Sequence, residues 1–302
     1  MDNIFIIISI IFLGYIFSFF QKQKESVEMV LNEYLYYVAL PITIFLKTAT
    51  IKLSVLNISF VLINSIPVLL VFLLIYIFWR LKIFQSNFSR TLIITSTLGN
   101  LIYLGLSIIS IKEGESMIGP ASLAAAIQNF IIFTIGIFLI NKISDYEETG
   151  KIILYKVIKN PLFISSIFGV LFAYFSIPLS FFEKIMNEFA KSTTALSLFV
   201  IGVSLYGKRI LIVNIKKILI ISFFKHIFLP LIVFLFIYFG GLSDIEYKIV
   251  FIQYTMPVAI ACYVIAYEFN LETDIVSQSI FFTTILYFML YSFYDKSISF
   301  LF

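Results

Sequence analysis

The sequence has very few of the residues from which enzyme and metal sites are usually built. Its 302 residues include one cysteine, Cys262, and one histidine, His226. A single cysteine excludes an internal disulfide and a cysteine cluster, and a single histidine with no acid near it cannot build a metal site. No nucleophile motif or glycine-rich phosphate loop is present. We therefore expect neither an enzyme nor a resident cofactor or metal.

The composition is that of a protein whose solvent is a lipid bilayer. Hydrophobic residues make up 61% of the chain, charged residues only 13%, and the mean hydropathy is +1.05. This is far more apolar surface than one soluble core can bury. The net charge of +4 lies in short loops between apolar spans, where it indicates membrane topology and not a nucleic-acid footprint. No nucleic-acid partner is expected.

Ten apolar stretches are long enough to cross the hydrocarbon layer as helices. The short links between them make neighbouring spans antiparallel, so the prediction is an all-α membrane protein with ten transmembrane helices. The predicted spans are 4–20, 30–46, 55–79, 90–111, 121–141, 161–177, 185–206, 215–239, 249–267 and 275–294.

The longest hydrophilic stretch, residues 143–160, lies near the midpoint of the chain. It separates five spans in residues 1–142 from five in residues 161–302, and an odd number of spans per half inverts the second half relative to the first. Pro67 in span three corresponds in position to Pro230 in span eight. The pattern predicts two inverted five-helix repeats with a cytoplasmic linker. The alternative is that the matching positions are a coincidence, since membrane helices tolerate Pro and Gly in general and each such residue could be explained by itself.

Lysines and arginines concentrate in alternate loops. The loops that begin near Lys22, Arg80, Lys142 and Lys208 carry more of them than the loops on the opposite side. The positive-inside rule predicts that these loops are cytoplasmic and that both termini are extracytoplasmic. The first span follows Asp2 and lacks a basic leader and a cleavage pattern, so we expect a retained helix in a multi-pass protein of the plasma (inner) membrane.

Two spans carry helix-breaking residues at their centres. Gly99-Asn100 interrupts span four, and Met256-Pro257 interrupts span nine. A break at this depth leaves peptide groups unpaired unless protein or trapped water satisfies them, so such breaks mark sites. Half-helix N-termini at two crossed breaks would present amide groups and positive dipole ends to an anion.

The predicted site combines the breaks with polar residues at similar depth. Asn100 would orient a carboxylate, Gly99, Asn100 and Pro257 would break the helices, and Gln128 or Asn129 would add polar contacts. Backbone amides around both breaks would form the cradle. The complete predicted set is Gly99, Asn100, Leu101, Gln128, Asn129, Lys225, Met256, Pro257, Val258 and Ala259.

Lys225 lies near the middle of span eight, where a charge costs about 2.5 to 3.5 kcal/mol on insertion scales. Two interpretations are open. The ammonium is a fixed positive charge near the breaks, which neutralises an anionic substrate or replaces a coupling cation, or its long stem snorkels toward the cytoplasmic surface. No Asp or Glu lies in the middle third of any span, which argues against proton or sodium binding on buried carboxylates. Coupling to H⁺ or Na⁺ through other groups stays open.

Five sequence motifs together resemble the auxin efflux carrier family, and the similarity extends over nearly the whole chain. One departure is Ser107, where many relatives have a proline. The motifs are NEYLYYVALPITIF at 32–45, GNLIYLGL at 99–106, KNPL at 159–162, LSLFVIGVSL at 196–205 and MPVA at 256–259.

The resemblance implies a ten-helix carrier of the bile acid, arsenite and riboflavin type of inverted-repeat superfamily, with helices four and nine broken and crossed. It implies a scaffold of helices 1, 2, 6 and 7, through which two copies could dimerise, and a transport domain of helices 3–5 and 8–10 that shifts like an elevator. The implied function is secondary active transport of a small organic anion, such as a carboxylate. The alternative is a sodium-coupled organic-anion symporter of the bile-acid-transporter type.

Overall fold

Every regular element in the described part of the chain is a helix, so the predicted all-α class is confirmed. Within that part, the single β-type pairing is an isolated bridge between Gly99 and Val258. The computed structural model describes residues 2–21, 24–50, 57–143, 159, 161–207, 212–242 and 244–302.

The helices follow one another through short joints, and several are joined by five-residue π-helical segments. These segments are Leu35–Ala39, Leu101–Gly105, Ile132–Gly136 and Phe224–Phe228. The α-helices are α1 Asp2–Phe20, α2 Lys24–Tyr34, α3 Leu40–Ala49, α4 Ile58–Arg80, α5 Ser86–Thr97, α6 Leu106–Glu113, α7 Ile118–Ile131, α8 Ile137–Ile143, α9 Pro161–Tyr174, α10 Ser180–Leu205, α11 Ile215–Phe223, α12 Leu229–Gly240, α13 Ile245–Tyr254, α14 Ala261–Glu268 and α15 Thr273–Leu301.

Five helical stretches in the described residues are long and apolar enough to cross a membrane, and they correspond to predicted spans two, three, five, eight and ten. Predicted spans four and nine fall on interrupted helices. The total of ten spans and the inverted repeat stay predictions, and the predicted linker 143–160 lies almost wholly outside the described residues. The five stretches are Ser26–Ala49, Ile58–Arg80, Glu115–Ile143, Ile215–Gly240 and Thr273–Leu301.

Two helices extend well past their predicted spans. The second begins at Lys24 instead of residue 30. The last runs to Leu301, beyond the predicted end at residue 294. Hydropathy detects only the apolar part of a helix, whereas the polar turns at its ends continue the same backbone hydrogen bonding.

The chain forms two compact units. Unit 1 consists of Met1–Leu56, Ile102–Ala126 and Ile158–Gly207. Inside it, α1 packs on α10 along facing glycines: a Cβ on Gly14 would lie 2.0 Å from the carbonyl oxygen of Phe199. A Cβ on Gly202 would lie 1.8 Å from the carbonyl oxygen of Ile11. Only hydrogen fits at these two positions, so the two helix backbones are in direct contact.

Unit 2 consists of Asn57–Leu101, Ile127–Val157 and Lys208–Phe302. It contains the whole of span nine and the part of span four that ends at Leu101. Two of its helices, α4 and α12, carry a proline. A proline cannot donate to the carbonyl four residues before it.

Each proline leaves one carbonyl without its usual backbone donor, and a tyrosine hydroxyl donates to that carbonyl in both cases. The hydroxyl of Tyr254 donates to the carbonyls of Ile63 and Asn64 at 3.2 and 2.8 Å, and Ile63 is four residues before Pro67. The hydroxyl of Tyr294 donates to the carbonyl of His226 at 2.8 Å, four residues before Pro230. Unit 2 thus satisfies its proline-orphaned groups internally, as an apolar surrounding requires.

Candidate functional site

The helix of span four is interrupted at residues 98–100, which we call the first break. Helix α5 ends at Thr97, Leu98 is extended at φ −74° and ψ 98°, and the π-helical segment starts at Leu101. Every residue from 91 to 100 is buried. The backbone therefore leaves the helix inside the protein, at the position that the Gly99-Asn100 pair predicts.

The helix of span nine is interrupted at residues 255–260, which we call the second break. Helix α13 ends at Tyr254, and α14 starts at Ala261. Pro257 has no N–H and cannot continue the helical ladder. The N–H of Val258 donates instead to the hydroxyl oxygen of Thr283 on α15, at 3.2 Å. Residues 251 to 259 are all buried.

The two breaks pair with each other through their backbones. The N–H of Asn100 donates to the carbonyl of Pro257 at 2.8 Å, and the N–H of Ala259 donates to the carbonyl of Leu98 at 3.0 Å. These two bonds flank the antiparallel bridge between Gly99 and Val258. Each break therefore supplies part of the hydrogen bonding that the other has lost, which is the condition for irregular backbone at membrane depth.

Lys225 places its charge at the first break. Its side chain is 1% exposed, and Nζ donates to the carbonyl of Thr97, the last residue of α5, at 3.3 Å. A Cβ on Gly99 would lie 2.9 Å from the same Nζ. The ammonium thus lies inside unit 2 beside the break, and the snorkelling interpretation is wrong. Its position at the C-terminal end of α5 is the one where the helix dipole favours a cation.

Cys262 also faces the C-terminal end of α5. Its buried thiol donates weakly to the carbonyls of Ile94 and Leu98, with Sγ–O distances of 3.6 and 3.7 Å. Both carbonyls also accept a backbone hydrogen bond, Ile94 from the N–H of Leu98 at 2.9 Å and Leu98 from the N–H of Ala259 at 3.0 Å, so the thiol adds a weak second contact to each. Cys262 on α14 and Lys225 therefore serve the same helix terminus from two different helices.

His226, the neighbour of Lys225, is tied to the second break. Its Nε2 donates to the carbonyl of Thr283 at 3.0 Å, and its Nδ1 lies 3.1 Å from the hydroxyl oxygen of Tyr294. Thr283 in turn accepts from Val258 through its hydroxyl. Lys225 and His226 both belong to the π-helical segment Phe224–Phe228. This one segment therefore contacts the first break through Lys225, and through His226 it contacts Thr283, which supports the second break.

Five of the amide groups predicted to form a cradle have acceptors within the protein, those of Asn100, Leu101, Met256, Val258 and Ala259. Besides the two bonds that join the breaks, the N–H of Leu101 donates to the carbonyl of Gly99 at 2.7 Å. The N–H of Met256 donates to the carbonyl of Gln253 at 3.1 Å. In the described conformation these hydrogens point to protein oxygens, and their role as ligand donors stays a prediction.

The side-chain hydrogen bonding described for Gln128 and Asn129 does not involve the residues of either break. Nε2 of Gln128 donates to Oδ1 of Asn64 on α4 at 2.8 Å. Oδ1 of Asn129 is buried and has no hydrogen-bond partner among the described residues. Gln128 is linked to the second break through Asn64, whose carbonyl accepts from Tyr254. Their role in binding stays a prediction.

Two residues of the site, Thr97 and Thr283, carry no distinctive sequence signal. Hydroxyl residues are common in the helices of unit 2, and several of them, such as Thr95 and Ser96, bond to their own helix four residues back. Thr283 makes this bond as well, to the carbonyl of Ser279 at 2.7 Å. The one clue to Thr283 is its place at the middle of span ten.

Nearly the whole chain matches a known family. The membrane transport protein family matches residues 1–294. The chain belongs to this family. It is the auxin efflux carrier-like family that the sequence motifs resemble, so the resemblance is confirmed. The transporter is also similar to an uncharacterized transporter of Methanocaldococcus jannaschii, with 26% identity over 296 residues that cover 94% of each chain.

Proposed function

We propose that this transporter is a secondary active carrier for a small organic anion, such as a carboxylate, which binds at the paired breaks. The observation that carries the proposal is the Lys225 ammonium. It is buried at the first break, and in the described part of the chain no carboxylate forms an ion pair with it. An anionic ligand would supply the missing counter-charge.

The cost of the buried charge supports this choice of ligand. An ion removed from water loses several kcal/mol of solvation even after relaxation, and one carbonyl dipole returns only a part of this. An ammonium has three N–H donors, and the carbonyl of Thr97 accepts one. A carboxylate at the first break would accept a second one in a charge-assisted hydrogen bond, which is stronger than a neutral one.

The other contacts belong to the same proposal. Asn100 is buried at 5% exposure in the first break, beside the carbonyl end of α5 that Lys225 occupies. We propose that its amide orients the ligand, and that Gln128 or Asn129 adds polar contacts. The amides of both breaks would take part when the pairing between the breaks loosens in another state of the transport cycle.

The transport mechanism that we propose is an elevator-like alternating access. Both breaks, Lys225 and His226 belong to unit 2, whereas α1, α2, α3, α6, α9, α10 and the first part of α7 belong to unit 1. This grouping supports a transport domain that carries the whole site as one body, with a scaffold, and a homodimer through that scaffold, formed by the other helices. The inverted repeat would supply the second orientation.

Uptake of labelled mono- and dicarboxylates into proteoliposomes tests the proposed function. We expect saturable uptake of at least one organic acid, competition by its unlabelled form, and strongly reduced uptake into liposomes that contain the Lys225→Met variant. Uncharged analogues of the same size, such as the corresponding amides, should not compete. A panel in which no anion is transported, or in which the amide competes as well as the acid, would refute the proposal.

A further inference from the structure

We propose that the Lys225 ammonium is a built-in replacement for the coupling cation of sodium-driven carriers, so that the anion is transported without sodium. This inference rests on the proposed function, because it concerns the coupling of the same site. It removes the sodium-coupled symporter as an alternative. The inference rests on the position of the Lys225 ammonium at the carbonyl end of α5, where Gly99 and the thiol of Cys262 also lie.

The carbonyl end of a broken helix is where such carriers usually hold a metal ion. In transporters with discontinuous helices, unwound carbonyls and half-helix C-terminal ends coordinate Na⁺ or H⁺, while the N-terminal ends face the substrate. Helix α5 offers this kind of terminus at the first break. Its last carbonyl, that of Thr97, accepts from Nζ of Lys225 at 3.3 Å. The protein's own cation thus takes the place of a free one.

The neighbouring carbonyls are also engaged, which leaves little for a sodium ion to bind. The carbonyl of Leu98 accepts from the N–H of Ala259, and the carbonyls of Leu98 and Ile94 face the thiol of Cys262. In the described residues no acidic side chain forms an ion pair with Lys225, so the protein supplies no negative charge there that could balance a second cation. A sodium ion beside the ammonium would be a second positive charge at the first break, and one bound carboxylate would neutralise only one of the two.

Gly99 keeps open the space that the ammonium fills. A methyl group at this position would lie 2.9 Å from Nζ and 3.0 Å from Cδ2 of Leu101. The absence of a side chain therefore lets the lysine approach the helix end closely. Gly99 has two roles in this arrangement, since it breaks the helix and admits the cation to the end that the break exposes.

The first arm of the test measures cation binding without a substrate. The variant Lys225→Ala removes the tethered charge and leaves a cavity at the end of α5. We expect ethylammonium to raise the thermal unfolding midpoint of this variant in detergent by about 2 to 4 °C, with choline at equal ionic strength as the salt control. Neither the wild type nor Lys216→Ala, which changes an exposed lysine on the same helical stretch Ile215–Gly240, should respond. An equal shift in all three proteins, or none in Lys225→Ala, would overturn the inference.

The second arm measures transport and does not depend on the folding of a variant. Uptake of the anion by the wild type should be the same, within about twofold, when sodium is replaced by choline on both sides of the membrane. A loss of tenfold or more without sodium would overturn the inference, although the proposed function would stand. If the wild type transports no organic anion at all, the proposed function fails, and the stability arm still decides whether a cation binds at the break.

Discussion

The two breaks of unit 2 differ in what holds them. At the first break the helix ends at Thr97, and a charged side chain from another helix, Lys225, binds the exposed carbonyl. At the second the helix ends at Tyr254, Pro257 removes a donor, and the neutral hydroxyl of Thr283 accepts from Val258. One break is supported by a full charge and the other by a dipole.

This difference shows how two similar backbone interruptions can have separate tasks. The backbone bonds between the breaks are reciprocal, one in each direction, so pairing alone does not distinguish them. The side chains do. Because a charge in an apolar surrounding acts over a longer distance than a hydroxyl, the first break would determine ligand charge, and the second would mainly keep the pairing in place.

Replacing Lys225 by Met should have the largest effect on anion affinity, because it removes the charge that distinguishes the first break from the second. Met keeps the unbranched stem and removes the charge, so we expect anion affinity to fall by about 10- to 100-fold, the loss of one charge-assisted hydrogen bond. Isothermal titration of the purified protein with the transported acid would measure it. Lys216→Met is the matched control on the same helical stretch, Ile215–Gly240. An unchanged affinity in Lys225→Met would contradict the proposed role of the charge.

Replacing Thr283 by Val should weaken the second break while leaving the first intact. Valine has nearly the same shape but cannot accept from the N–H of Val258, and an unsatisfied buried donor costs about 1 to 3 kcal/mol. We expect a lower thermal midpoint and a smaller change in anion affinity than in Lys225→Met. Thr284→Val, which removes a hydroxyl bonded within its own helix at 2.7 Å, is the control. Equal midpoints in the two variants would show that Thr283 does not support the break.

Replacing Asn100 by Ala should reduce anion affinity by about tenfold while the protein stays folded and inserted, as expected for the loss of one hydrogen bond of about 1.4 kcal/mol. The backbone N–H of Asn100 remains, so its bond to Pro257 is kept. Size-exclusion behaviour and affinity would be measured on the same preparation. Wild-type affinity in this variant would remove Asn100 from the site.

Replacing Gly99 by Ala should have the smallest effect, and it sharpens the comparison by moving the ammonium without removing it. The new Cβ would lie 2.9 Å from Nζ of Lys225, which is the mobile end of a flexible side chain and can shift at low cost. We expect a loss of affinity below about fivefold, which corresponds to less than about 1 kcal/mol. A further loss of affinity when Gly99→Ala is added to Lys225→Met would contradict this explanation, because without the ammonium the second substitution should have no effect.

The sequence was sufficient to place both breaks and to select Lys225. Gly99-Asn100 and Met256-Pro257 stand out because they interrupt otherwise apolar spans, and a lysine at mid-span is costly enough to be informative. The direction of the Lys225 side chain could not be predicted. It lies in a π-helical segment, which adds a residue to the turn and rotates the following side chains away from a regular 3.6-residue pattern.

The supporting hydroxyls were beyond the reach of the sequence for a different reason. A serine or threonine in an apolar helix can satisfy itself on the carbonyl four residues back, as Ser107 does on Tyr103 at 2.6 Å. The same residue type therefore occurs with and without a partner on another helix. Gln128 shows that a polar residue can also be bonded to another helix, since its amide donates to Asn64 on α4, and its predicted ligand contact stays a prediction.

The tyrosine hydroxyls on the proline helices have a mechanical consequence. A proline in a helix normally creates a joint, because the freed carbonyl lets the two halves swing. In α4 and α12 that carbonyl is held by Tyr254 and Tyr294, so each joint is locked by a neighbouring helix. Bending at Pro67 or Pro230 would break a buried hydrogen bond, so the two prolines do not divide α4 and α12 into freely moving halves.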